Sequence, residues 1–159
     1  MSFKPGDRVV YPHHGAAIIE KTEINQIDGE PVEYFVLKTA HDELTLRVPV
    51  DKVDDVGMRP PISLEDVEDL FELLAKKDVR EPANWSRRFK NHQEKLKSGD
   101  VYQVAEVVRN LALREKAKGL SAGEKNMYTK ARKVLVSELS FSLDVSEDDA
   151  IDQVDAQLV

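Results

Sequence analysis

The chain has 159 residues, of which 41% are hydrophobic and 33% are charged, a balance that suits one domain or two small ones with much charged surface. It has a net charge of −7 and no cysteine, which excludes disulfides, thiolate zinc sites and a cysteine nucleophile. The sequence offers no apolar run that could cross a membrane and no signal-peptide core at its N-terminus. We therefore expect a cytoplasmic protein without a membrane partner.

Positive charge is concentrated in one block of the sequence. Residues 80–133 carry a net charge of +8, whereas residues 1–79 carry −8 and residues 134–159 carry −7. A strongly basic block in an acidic protein indicates an anionic partner for that block. The alternative is a solvated helical surface without a ligand, which is common in proteins.

The first third of the chain follows a β pattern. Pro5 and Gly6 occupy the central positions of a predicted type II turn. The predicted strands are Arg8–Tyr11, Ala16–Ile27, Glu30–Thr39 and Glu43–Val48. Asp28 and Gly29 form a typical two-residue hairpin turn, and Pro49, which has no backbone N–H, suits a strand end or a sheet edge. Short strands with tight connections predict a small, strongly bent sheet or barrel.

A helical pattern begins after the segment Met58-Arg59-Pro60-Pro61, which we interpret as a domain boundary. The predicted N-caps of successive helices are Ser63, Asn84, Asp100 and Ser121, the last with Glu124 as a capping box. We predict an α+β protein in three parts. They are a β domain over residues 1–58, an all-helical domain over residues 63–145, and an acidic tail over residues 146–159, either a short helix or loose.

No arrangement of residues points to catalysis. His13 and His14 are adjacent, and adjacent residues in a strand point to opposite faces, so we interpret them as structural rather than as metal ligands. The glycines do not have the spacing of a phosphate-binding loop, and no Ser/His/Asp set lies in a recognisable elbow. We therefore predict a protein that is not an enzyme and that binds neither a cofactor nor a metal.

Trp85 is the only tryptophan and begins the cationic segment WSRRFK. In a helix, Trp85, Phe89 and Leu96 fall on one side, so periodicity alone favours a core position for Trp85. However, the first turn of a helix offers few packing partners, and basic residues surround this tryptophan. An exposed aromatic ring among cations is typical of nucleic-acid binding, because cations bind phosphates while the ring stacks on bases or wedges between them.

Two long segments of the chain resemble the CarD/CdnL family. Its N-terminal module, shared more distantly with transcription-repair coupling factors, is similar to the segments FKPGDRVVYPHHGAAII and LTLRVP. The helical domain of CarD, which the coupling factors lack, is similar to EPANWSRRFKNHQEKLKSGDVYQVAEVVR and GLSAGEKNMYTKAR. The resemblance covers Ser2 to Leu139, and the actinobacterial type of CarD is the nearest match.

The resemblance implies a bacterial transcription regulator with a Tudor-like N-terminal module. That module would bind the lobe of the RNA polymerase β subunit by pairing of strand edges. The helical domain would contact promoter DNA at the upstream edge of the transcription bubble, largely independently of sequence, and stabilise the open complex. Trp85 would wedge into the minor groove there. The protein would act as a monomer and reach the nucleoid through polymerase.

The resemblance also implies roles for individual residues. Trp85 and Lys90 match the DNA-contacting set of the family, and Arg47 matches a polymerase-contacting position. Together with the basic pattern, the predicted DNA-binding residues are Trp85, Arg87, Arg88, Lys90, Lys125 and Lys130. The predicted polymerase-binding residues are Asn25, Glu43, Thr45, Arg47 and Pro49. Asn25 stands where close relatives can be basic, which predicts a weaker or rearranged contact at that point.

Two other functions fit parts of the pattern. A Tudor-like adaptor could recognise a peptide or a modified side chain with Tyr11, Tyr34 and Phe35, although Tyr34 and Phe35 face opposite ways in a strand. A free-standing nucleoid protein would bind DNA tightly without polymerase, which the net charge of −7 disfavours.

Overall fold

The computed structural model describes residues 2–40 and 43–159, in which four strands are followed by five α-helices. The strands are β1 (Arg8–Tyr11), β2 (Gly15–Ile27), β3 (Glu30–Thr39) and β4 (Thr45–Pro49). The helices are α1 (Leu64–Ala75), α2 (Trp85–Lys97), α3 (Val101–Ala117), α4 (Ala122–Leu143) and α5 (Glu147–Leu158). This order confirms the predicted α+β fold. No helix in the described ranges is long and apolar enough to span a membrane.

The four strands form an antiparallel sheet in the order β1-β2-β3-β4, curled into a half-barrel. Asp28 and Gly29 connect β2 to β3 with φ angles of 51° and 81°, as a type I′ hairpin requires. The β2–β3 register shifts between Ile19 and Lys21, and such a bulge increases the local bend. In this sheet β4 pairs only with β3, so it is an edge strand.

An apolar core fills the curl of the sheet. Its buried members are Val9, Ala17, Ile19, Phe35, Leu37, Val48, Val53 and Met58. Phe35 is only 4% exposed, so it cannot form an aromatic cage with Tyr11 and Tyr34. This burial removes the basis for the peptide-binding interpretation of those three residues.

Side-chain caps begin the helices at the predicted residues. The side chains of Ser63, Asn84 and Asp100 each accept a hydrogen bond from a backbone N–H in the first turn that follows. Ser121 and Glu124 form the predicted capping box at the start of α4. Because caps satisfy N–H groups that would otherwise lack partners, these local signals set where each helix begins.

The acidic tail forms α5, which belongs to the helical core. Ala150 and Val154 are fully buried against the apolar residues of the other helices. The acidic side chains of α5 remain exposed; they are Glu147, Asp148, Asp149, Asp152 and Asp155. The helix therefore packs through an apolar stripe and leaves its negative charge at the surface.

Polar contacts join the sheet and the segment after it to α4. The Arg59 guanidinium donates hydrogen bonds of 2.7 and 2.9 Å to the two carboxylate oxygens of Glu138, and two more to the carbonyl of Gly99. Glu138 is 1% exposed, and such bidentate pairs are strong and directional. The Ala16 N–H donates to Ser137 Oγ at 3.0 Å. These bonds hold the sheet in a fixed position against α4.

Candidate nucleic-acid and protein interfaces

The Trp85 side chain lies on the surface at the first turn of α2. It is 45% exposed, and its ring stacks on Phe89 with centroids 4.8 Å apart and an interplanar angle of 15°. Phe89 in turn lies against Gly123 of α4, where an added Cβ would be 3.4 Å from the Phe89 ring. One face of the indole is therefore supported, whereas the side chain as a whole stays accessible. The core position that periodicity favours for Trp85 is wrong, because Phe89 fills that place.

Glu124 organises the residues beneath Trp85. Its carboxylate is 3% exposed and lies 3.6 Å from both Arg88 Nε and Arg114 Nε. The Ser121 backbone N–H and hydroxyl donate to Glu124 Oε1. Burial alone would raise the pKa of Glu124, but these hydrogen bonds and the charge of Arg88 lower it below its ordinary value. The carboxylate thus stays ionised and ties α2 to α4.

Arg88 does not lie on the basic surface, so its predicted contact with DNA is wrong. The side chain is 2% exposed. Its Nη1 donates hydrogen bonds of 3.3 Å to the carbonyls of Pro82 and Ala83, while Nε faces Glu124. Among the described residues Nε and Nη2 have no hydrogen-bond partner, so the nearby Glu124 charge and the two bonds of Nη1 compensate the buried guanidinium. The side chain therefore supports the entry into α2 instead of a ligand.

The other predicted DNA-binding cations are exposed. Arg87 and Lys90 flank Trp85 on α2, and Lys125 and Lys130 lie on α4. The contact of Phe89 with Gly123 brings the first turns of α2 and α4 together, so Lys125 lies at the same end of the helical layer as Trp85. The first turns of α2 present an aromatic ring with exposed cations at nearby positions of the same helix, which suits an anionic polymer.

The edge strand β4 presents a second candidate surface. Arg47 and Thr45 are exposed, and Arg47 Nε lies 3.2 Å from the Glu23 carboxylate on β2. Hydrogen bonds from Lys21 and then Arg47 lower the pKa of Glu23 below its ordinary value. Pro49 ends the strand opposite Tyr34. Unpaired backbone groups along such an edge can accept a further strand.

Two predicted polymerase-binding residues lie off this edge. Glu43 was predicted to begin the fourth strand, but its φ of 54° breaks the extended backbone and β4 starts at Thr45. Asn25 is exposed on β2, opposite Val32, at the projecting end of the β2–β3 hairpin.

Sequence reasoning missed an exposed apolar side chain beside Asn25. Ile24 is 67% exposed on the same hairpin. The sequence did contain a signal for this exposure. Thr22 and Gln26, the neighbours of Ile24 on the same strand face, are polar, which indicates that this face is turned to solvent. Ile24 extends the accessible surface of the hairpin with apolar area.

The histidines in the turn between β1 and β2 do not form a metal site. In the described ranges no group of three or more His, Cys, Asp or Glu residues could hold a metal ion. His14 contacts the Tyr11 ring, with centroids 5.6 Å apart. His13 is exposed and has a left-handed backbone with φ 72°.

Two family models together cover most of the chain. The CarD-like/TRCF RID domain matches residues 3–62, and the CarD C-terminal domain matches residues 69–155. The chain belongs to the CarD family. This family is of the transcription-factor type and is not a known enzyme family, and the domains of its RID type interact with RNA polymerase in general.

Individual proteins are also similar to this chain. YdeB of Bacillus subtilis (strain 168), whose name gives it a proposed role as a transcription factor, is 32% identical over 145 residues, covering 91% of this chain and 95% of YdeB. The N-terminal domain of CdnL from Myxococcus xanthus is 33% identical, covering 40% of this chain and 89% of that domain, with a TM-score of 0.35. The N-terminal domain of Myxococcus xanthus CarD is 27% identical, covering 38% and 83%, with a TM-score of 0.31.

Proposed function

We propose that this CarD family member regulates transcription initiation by stabilising the open complex of RNA polymerase at promoters. The β domain (1–58) binds the polymerase β subunit, and the helical domain (63–145) binds promoter DNA. The observation that carries the proposal is the exposed Trp85 ring, which stacks on Phe89 and is flanked on the same helix by the exposed cations Arg87 and Lys90. A protein of this kind would be found on the nucleoid, through its polymerase.

Polymerase binding is assigned to the β4 edge. A strand from the β lobe would pair with the free side of β4, so that main-chain hydrogen bonds supply affinity. Arg47 stands on that strand with an exposed side chain and would add an ionic contact, for which it would leave Glu23. The ion pair it leaves is exposed, and such pairs contribute only about 0–1 kcal/mol, so the exchange costs little.

DNA engagement is assigned to Trp85 and the exposed cations near it. Arg87, Lys90, Lys125 and Lys130 would bind phosphates, which fixes position without reading sequence. The indole would then wedge into the minor groove at the upstream edge of the bubble. Phe89 stacks behind the ring, so the wedge meets the DNA on a supported surface rather than on a freely rotating side chain.

The energetic effect follows from linkage. A ligand that binds the open polymerase–promoter complex better than the closed one shifts the population towards open. A base–aromatic stack is worth about 1–3 kcal/mol, which corresponds to roughly a five- to hundredfold change in that equilibrium. Because polymerase docking supplies a high local concentration, the affinity of the isolated protein for DNA need not be high.

The decisive experiment measures two properties of one Trp85→Ala preparation. The first is its thermal unfolding, and the second is the lifetime of the open complexes that it supports on a promoter whose open complex is unstable. We expect a loss of about 0.5–1.5 kcal/mol in stability, the value of a stacked aromatic pair. We expect open-complex stimulation to fall to near the level without the protein. Trp85→Phe serves as the matched variant and should retain part of the stimulation, since a smaller ring can still insert.

A different result would contradict the proposal. If Trp85→Ala lowered the unfolding temperature strongly and activity fell only in proportion, Trp85 would be a structural residue. If open-complex lifetimes were unchanged while the variant still bound polymerase, the DNA role of Trp85 would be wrong.

A further inference from the structure

A cleft of about 580 Å³ lies between the β1–β2 turn and α4. We call it the junction cleft. Residues from both parts of the molecule line it; they are His13, His14 and Leu44 from the β part and Asn126, Thr129, Lys130 and Lys133 from α4. None of these residues except Lys130 belongs to the DNA-binding set discussed above.

Charge in the junction cleft has one sign. Among the described residues that line it there is no carboxylate, while Lys130 and Lys133 are cationic. The pKa of His13 is lowered by burial and, after that, by the positive charges of Lys130, His14 and Lys97. An excess of positive charge on the lining of a cleft attracts a polyanion and raises its local concentration there.

The shape of the cleft is fixed before any ligand arrives. Tyr11 pairs with Gly15 across the turn, and Pro12 packs close to Gly99, where an added Cβ would lie 3.3 Å from Pro12 Cγ. The bonds from Arg59 to Glu138 hold the segment after the sheet to α4. His13 is thus presented on a short, tethered turn at a constant position relative to the lysines of α4.

Lysines of α4 connect the cleft with the region around Trp85. Lys125, Lys130 and Lys133 are exposed along this helix, and Lys125 lies at the Trp85 end. The eight steps along the helix from Lys125 to Lys133 span about 12 Å at ~1.5 Å per residue. That is the rise of between three and four base pairs at ~3.4 Å each, so successive lysines can reach different phosphates.

From these observations we propose that the junction cleft binds the sugar–phosphate backbone of duplex DNA, with His13 and Lys133 as contacts additional to the helical DNA-binding set. The inference rests on the proposed function and extends it, because it gives the β part a direct share in DNA binding. The duplex would leave the Trp85 region along α4 and pass the β1–β2 turn. The Asn126 side-chain amide can donate hydrogen bonds to phosphate oxygens along that path.

The first test measures the salt dependence of DNA binding by the full chain without polymerase. The probe is a fluorescent duplex with one unpaired end, titrated at several salt concentrations at pH 8. Lys133→Ala should reduce the slope of log affinity against log salt by about 0.9, the effect of one lost phosphate contact. Lys4→Ala and Lys76→Ala are charge-matched controls on exposed lysines outside the cleft, and they should leave the slope unchanged.

The second test uses the titration of His13. A phosphate bound beside the imidazole stabilises its charged form, so the complex has a higher His13 pKa than the free protein and binding takes up a proton. Affinity should therefore rise as the pH falls from 8 to 6. His13→Gln should remove part of that rise and leave affinity at pH 8 nearly unchanged. His92→Gln, at a buried histidine bonded to Glu81, controls for effects of histidine loss elsewhere.

The outcomes separate this inference from the function on which it rests. A smaller salt slope for Lys133→Ala, with a reduced pH effect for His13→Gln, supports the DNA path across the cleft. If both variants match the wild type while Trp85→Ala still shortens open-complex lifetimes, the cleft is not on the DNA path and the proposed function stands. If Trp85→Ala leaves those lifetimes unchanged, the proposed function itself fails.

Discussion

The edge strand β4 and the first turn of α2 both place an arginine or lysine beside an accessible binding element, but the elements differ. At β4 the accessible element is the backbone, and the Arg47 side chain forms an exposed ion pair with Glu23. At α2 the accessible element is the Trp85 ring, which stacks on Phe89, and the buried pair of Arg88 and Glu124 joins this helix to α4. A free backbone edge suits a protein strand, whereas an apolar ring among cations suits nucleic acid.

This difference predicts how substitutions at each surface affect binding and folding. The β4 edge depends on local pairing with β3, so a change in its exposed side chains should affect binding and leave folding intact. The α2 surface depends on a buried carboxylate that also joins two helices, so changes beneath Trp85 should affect folding and binding together.

The largest expected effect comes from Glu124→Ala. Removing the carboxylate leaves Arg88 and Arg114 without their shared counter-charge, and breaking a buried ion pair in this way costs about 3–5 kcal/mol. Chemical denaturation measures the free energy of unfolding. Glu115→Ala, an exposed position on α3, is the matched control and should change it by no more than about 0.5 kcal/mol.

Equal losses for Glu124→Ala and Glu115→Ala would show that the carboxylate beneath Trp85 is not a structural support. Folding would then depend no more on the residues beneath Trp85 than on the exposed side chains of β4.

Acid should weaken the helical part through the same carboxylate. The pKa values of Glu124 and Glu81 are lowered in the folded chain, the latter by its hydrogen bond and charge interaction with His92, which outweigh burial. A lowered folded pKa contributes stability that is fully present above the ordinary value of 4.5 and is lost as the pH falls through the lowered pKa. Unfolding temperatures measured from pH 7 down to pH 3 should therefore decline most steeply below 4.5.

Glu124→Gln is the informative comparison for this pH dependence. It should be less stable than the wild type at pH 7 and should show a shallower decline in acid. A wild-type curve parallel to that of Glu124→Gln would contradict the assigned role of the carboxylate.

Arg47→Glu tests the other surface. The substitution replaces a cation with an anion on the β4 edge and places it next to Glu23. We expect about a tenfold weaker affinity for an isolated β-lobe fragment, equivalent to about 1.4 kcal/mol, with an unchanged unfolding temperature. Lys4→Glu would be a charge reversal at an exposed residue of the β part outside β4, and it should leave the affinity nearly unchanged. Unaltered binding by Arg47→Glu would remove β4 as the proposed docking edge.

The smallest expected effect is that of Asn25→Arg. This change adds an exposed cation at the projecting hairpin, at a position where the family resemblance implies a basic residue. We expect affinity for the β-lobe fragment to increase by less than tenfold, with a steeper dependence on salt. Unchanged binding would show that the hairpin faces away from the partner, and weaker binding would show that it does not meet an acidic surface.

Local signals in the sequence were sufficient for most of the fold. The hairpin at Asp28-Gly29 and the caps at Asn84 and Ser121 are confirmed, because their geometry depends on residues within a few positions. The position of the first residue of β4 was predicted two residues too early, because the left-handed backbone of Glu43 has no unique sequence signal.

The interfaces were harder to predict, since their key contacts are distant in sequence. Arg87 and Arg88 are adjacent and chemically identical, yet one is exposed and the other is buried by Glu124 from another helix. The exposure of Trp85 likewise depends on which aromatic residue fills the space below it. Periodicity identifies the side of a helix that faces inward, but it does not identify which side chain at the helix end reaches the core.

The exposed acid of α5 has a consequence for how the molecule meets DNA. Helices α1 and α5 contact each other and expose carboxylates, whereas the exposed cations near Trp85 lie on α2 and α4. The chain is therefore an electric dipole as well as a net anion. In the electric field of a polyanion such a molecule experiences a torque that turns its cationic end towards the polyanion before contact. Acidic helices that touch no DNA can thus reduce the number of unproductive orientations in each encounter.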